Sequence, residues 1–107
     1  MEIKVLAIIQ SSLATNISDG VALFDAIKNH KPSEITISFI GEDRLSSLFL
    51  NESIGQYVLQ NSKSIQDLNF IYPKGKEMFQ YKVEDIIENA LLGDEYDEFV
   101  DNALVSM

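Results

Sequence analysis

The chain contains no cysteine, which excludes disulfides and every thiolate metal site, and its single histidine, His30, is too few for a multi-histidine centre. Two prolines and five glycines are all that punctuate 107 residues, a composition far from the disordered range. The N-terminal apolar run Val5 to Ile9 is too short to span a bilayer, and neither a basic stretch nor a small-residue cleavage site accompanies it. Bases are scarce too. Eight lysines and arginines face seventeen acids, a formal charge of −9 that repels nucleic-acid phosphate and anionic membranes. From Glu84 to Asp101 there is no base at all. The expectation is a cytoplasmic protein without metal or cofactor, and with neither nucleic acid nor membrane as direct partner.

What is present is enough for one core. At 107 residues and 46% hydrophobic content, the sequence predicts a single domain over residues 1–107. Residues 2–10, rich in β-branched and aliphatic side chains, read as a strand. Ser18 is a candidate N-cap for a helix over DGVALFDAIKN, with Val21, Phe24 and Ile27 or Lys28 facing inward, and Lys31-Pro32 stops it. Residues 34–40 alternate Ile35, Ile37 and Phe39 with Thr36 and Ser38, a strand closed by Gly41. Ser46 or Ser47 would cap a second helix carrying Phe49, Leu50, Ile54, Val58 and Leu59 at helical spacing. Leu68 to Tyr72 reads as a short strand ended by Pro73. The stripe Phe79, Val83, Ile86, Ile87, Ala90 and Leu91 predicts a helix from Lys76 to Leu92, with Gly93 just past its end. A further acidic amphipathic helix is expected at about residues 94–105.

The resulting order, β-α-β-α-β-α-α, argues for an α/β fold with a small, mostly parallel or mixed sheet packed by helices. Ile8, Phe24, Ile37, Phe39, Phe49, Ile54, Phe70, Phe79, Val83 and Ile86 should form one continuous core.

Catalytic signatures are missing. Pro73-Lys74-Gly75-Lys76 lacks the spacing and hydroxyl of a phosphate loop and reads as a solvated turn. His30 lies past a helix end with no serine–aspartate partnership around it. Glu84 and Glu88, beside Asp85, fit the wet face of a helix rather than a metal or acid–base pair. No catalytic residue is therefore assigned, and the chain is expected not to be an enzyme.

The strand ending Ser38-Phe-Ile-Gly41, followed by Ser46-Ser-Leu-Phe-Leu-Asn-Glu-Ser-Ile-Gly55 opening a helix, resembles the STAS-like domain family of uncharacterised bacterial and phage proteins, which is related to anti-sigma factor antagonists. The similarity covers roughly Ala14 to Leu92. It implies a STAS-like fold and a regulatory protein-binding role, with a histidine-kinase-like ATPase as partner and a phosphorylatable serine at the start of the second helix. Ser47, with Ser46 beside it, stands nearest that position. The antagonists' Asp-Ser-Ser/Thr-Gly turn is replaced here by Leu45-Ser46-Ser47-Leu48. On this reading Glu42, Asp43, Arg44, Leu48 and Asn51 form the docking surface around the two serines.

A different role follows from charge alone. Asp94, Glu95, Asp97, Glu98 and Asp101 would present an acidic surface, suited to an effector that occupies a basic site on a nucleic-acid-handling protein.

Overall fold

The computed structural model describes the backbone of residues 1–105 and the side chains of residues 1–92. Three short strands, β1 (Glu2–Lys4), β3 (Thr36–Ser38) and β5 (Asn69–Ile71), form a parallel sheet in the order β1-β3-β5. Its register sets Ile3, Ile37 and Phe70 side by side, as it does Lys4, Ser38 and Ile71. The first of these rows packs with the core, Ile37 being fully buried and Ile3 and Phe70 partly so. Phe39, just beyond β3, stacks on both Phe70 and Tyr72, with ring centroids 6.2 and 5.8 Å away. The α/β fold and parallel sheet expected from the sequence are thus present.

The predicted strand over residues 2–10 ends early, because Val5–Ile9 forms a short helix, α1. The ladder explains this. Beyond the Lys4–Ser38 pair β1 has no partner strand, so the amides that follow turn inward to helical bonds, ending where Gln10, at φ 55°, donates to the Leu6 carbonyl. Ile8 consequently lies exposed at 37% rather than in the core.

A second parallel pair, β2 (Leu13–Ala14) with β4 (Arg44–Leu45), was not foreseen. Two residues per strand are too few to show alternation. α2 spans Ile17–Ile27, and its N-cap is Asn16 rather than Ser18: in an extended conformation, Asn16 accepts from the Asp19 amide at 2.8 Å and its own amide donates to the Asp19 carboxylate. The inward stripe of α2 is Gly20, Leu23 and Ile27, leaving Val21 exposed. Gly20 is there for closeness. A Cβ at that position would lie 2.7 Å from the Phe49 carbonyl oxygen.

The second predicted helix runs as α3 (Ser47–Leu50), a π-helical stretch over Asn51–Gly55, and α4 (Gln56–Gln60). Within it the buried Ser53 hydroxyl donates back to the Phe49 carbonyl at 2.8 Å, and Phe49, Leu50, Ile54, Tyr57 and Val58 are fully buried. The Tyr57 hydroxyl donates to the His30 carbonyl at 2.7 Å, which gives the segment after α2 a fixed anchor.

The last helix, α5, runs unbroken over Glu77–Val105 and buries Phe79, Val83 and Ile86. The helix continues past Gly93, where the sequence predicts its end. An interior glycine costs a helix about 1 kcal/mol, which is too little to end it without proline or a competing cap.

Candidate functional site

Ser46 and Ser47, paired by sequence, take different roles. Ser46 has the extended backbone of an N-cap, and its hydroxyl accepts from the Phe49 amide at 3.1 Å while donating to the Thr15 carbonyl at 2.9 Å. One side chain thus caps α3 and ties it to the strand-to-helix turn before α2. Ser47 is the first residue of α3 and is exposed, so its hydroxyl faces solvent beside the helix start.

Several large apolar side chains of this region stand out of the core. Leu13, Ile17, Val21 and Leu48 are exposed at 47%, 49%, 42% and 49%. Thr15, Asn16, Ile17, Ser18, Val21 and Leu48 line an open, mostly apolar groove of ≈ 730 Å³ between the starts of α2 and α3. Of the docking residues expected from the sequence, Leu48 lies in this groove. Ile17 and Val21 were missed there. Their four-residue spacing at the start of a helix was the available signal, since it marks a second apolar stripe beside Leu23 and Ile27.

The remaining expected docking residues separate. Arg44 and Asp43 are exposed on and just before β4, and the Asp43 carboxylate lies 3.8 Å from the Lys76 ammonium. Asn51 is exposed but lines a different hollow, with Gly55, Gln56, Leu59, Asn89 and Ala90. Glu42 does not belong to the surface at all: it is 1% exposed, and neither carboxylate oxygen has a hydrogen-bond partner. Burial first, then the charges of Asp43 and Asp19, push its carboxyl up to about 7.

Residues 19–71, about half of the chain, match the model of a family described as a STAS-like domain of unknown function. Over those residues the chain is similar to this STAS-like family. No curated protein and no solved structure matches the chain. The match is narrower than the resemblance over Ala14 to Leu92, running from the first turn of α2 to the end of β5. It therefore includes Val21 and Leu48 on the two walls of the groove, together with both serines.

A second hollow, of ≈ 420 Å³, opens at the carboxyl ends of β1 and β3, where ligands of open α/β sheets bind, and is lined by Glu2, Lys4, Leu6, Ala7, Ser38, Ile40 and Gly41. It holds none of the expected site residues. Among the described residues no cluster of three or more histidines, cysteines or acids is arranged to hold a metal ion, and no helix is long and apolar enough to cross a membrane. Asp94, Glu95, Asp97, Glu98 and Asp101 lie outside the residues whose side chains the structure describes.

Proposed function

We propose that this STAS-like domain is a non-enzymatic regulatory module that docks on a protein partner through the groove between the starts of α2 and α3. The observation that carries this reading is the gathering of Ile17, Val21 and Leu48, each more than two-fifths exposed, around one groove beside the free hydroxyl of Ser47. Clustered large apolar side chains in water are stabilised by covering them, and a partner protein does so. The resemblance to anti-sigma factor antagonists supports a histidine-kinase-like ATPase as the partner class, with Ser47 offering an exposed hydroxyl and Ser46 a structural one.

Leu48→Asp and Val21→Asp test it, because both side chains already reach solvent and their replacement leaves the core intact. Wild type and variants are used to capture partners from the native host, with and without nucleotide, and the retained ATPase is then titrated by calorimetry. Each variant should weaken binding at least tenfold, about 1.4 kcal/mol. Equal affinities, or no retained partner in either nucleotide state, would remove this reading.

A further inference from the structure

Glu42 breaks the rule by which the rest of the interior is built. Its two carboxylate oxygens are the only buried side-chain nitrogen or oxygen atoms without a hydrogen-bond partner among the described residues. Burying an unpartnered polar group is unfavourable and burying an unpaired charge more so, so the neutral acid is the form this position accepts. The charged groups nearby do not relieve it. Asp43 on its own loop and Asp19 in the first turn of α2 are both acids. The cations of this region are engaged elsewhere: the Lys76 ammonium donates to the Asp43 carbonyl at 2.9 Å, and Lys82 of α5 donates to the Leu45 carbonyl at 2.8 Å. Arg44, the next base along the chain, is exposed.

The position of Glu42 gives this consequences. Gly41 immediately before it adopts φ 92°, and immediately after it the amides of Asp43 and Arg44 both donate to the Ser12 carbonyl, at 2.7 and 3.2 Å. Those two bonds lead into the β2–β4 pair. We propose that Glu42 is a protonation latch: as the neutral acid it holds loop 40–45 on the body and keeps β4 on β2, and on losing its proton to solvent it draws the loop into water and opens the pair.

The direction of the pH response follows from linkage. With the carboxyl raised to about 7 in the closed loop, against an ordinary value of 4.5, closure is fully favoured below 4.5 and progressively loses that contribution as pH rises to about 7. Above that the effect is level.

Hydrogen exchange of the Asp43 and Arg44 amides in the whole chain measures the opening, and dividing the wild-type opening constants by those of Glu42→Gln cancels effects common to both proteins. The quotient should rise by up to about tenfold per pH unit between the two values, about twentyfold in all from pH 5 to 6.5, and flatten above 7. In parallel, the Glu42 carboxyl carbon is titrated by NMR. A quotient independent of pH, or a Glu42 midpoint below pH 5, overturns the latch. Should Glu42→Gln fail to fold, the Ile37 amide of β3 in the wild type serves as reference, and the same rise supports the proposal while its absence refutes it.

Discussion

The two parallel pairings of this small protein differ in what holds them. In the β1-β3-β5 sheet the central row of side chains, Ile3, Ile37 and Phe70, packs with the core, and the stacked rings of Phe39, Phe70 and Tyr72 continue it. In the β2–β4 pair each strand buries one residue, Ala14 or Leu45, and turns the other, Leu13 or Arg44, to water. Its remaining support is polar: Ser12 accepting from two amides, Ser46 bonded to Thr15, and Lys82 on the Leu45 carbonyl. Apolar burial is insensitive to pH and hard to undo locally. A pair held by a few hydrogen bonds opens at low cost, and elements that change state are drawn from such regions. The groove proposed for docking and the latch proposed at Glu42 both adjoin the second kind of pairing.

The sharpest way to break the contrast is to truncate one residue from each pairing. Ile37→Ala empties a fully buried position in the middle of the three-stranded sheet and should cost about 3 kcal/mol in urea denaturation. Leu13→Ala, at a position 47% exposed, should stay within about 0.5 kcal/mol. Equal losses would mean that the small pair is as much part of the core as the large sheet.

A smaller effect is expected at Ser46. Ser46→Ala removes both the cap on the Phe49 amide and the bond to the Thr15 carbonyl, and should cost about 1 to 2 kcal/mol. The loss should appear in hydrogen exchange at the Phe49 amide and the β2–β4 pair before it appears in the β3 amides. A uniform loss of protection would place the small pair and the main sheet in one cooperative unit.

The sequence disclosed the large sheet far better than the small pair, for physical reasons. Ile37, Phe39, Phe49, Ile54, Phe79, Val83 and Ile86 were expected inside because alternation and helical spacing report burial wherever an element is long enough, and all are buried. Phe24 and Phe70 pack against that core from half-buried positions. Ile8 escaped the pattern because an aliphatic run reads alike as strand or as one helical turn, and the choice between them was made by the end of a neighbouring strand. The phase of α2 was misjudged since a glycine cannot be recognised as an inward residue by hydrophobicity, while Gly20 is inward because the Phe49 carbonyl leaves no room for more. Glu42 is expected on the docking surface because it opens the loop before the second helix, yet it is buried. Its burial is set by the loop's backbone bonds to Ser12, which no spacing of side-chain types encodes.

The smallest expected change in stability, and the one that bears most directly on function, is at Ser47. Ser47 stands at the first position of α3 with its side chain exposed and without a capping bond of its own, since Ser46 makes that bond. Ser47→Ala should therefore leave the melting temperature nearly unchanged, unlike Ser46→Ala. Ser47→Asp places a carboxylate at the positive end of the helix and should be neutral or stabilising by about 0.3 to 1 kcal/mol. The same charge stands beside Leu48 on the wall of the proposed docking groove, where covering an unpaired carboxylate costs more than the helix end returns. Binding of the captured ATPase should then weaken at least tenfold for Ser47→Asp and hold for Ser47→Ala, with both proteins melting close to wild type. An Asp variant that binds as the wild type does would show that the start of α3 lies outside the contact, leaving Ser47 without a regulatory role even if the groove wall formed by Ile17 and Val21 still engages the partner.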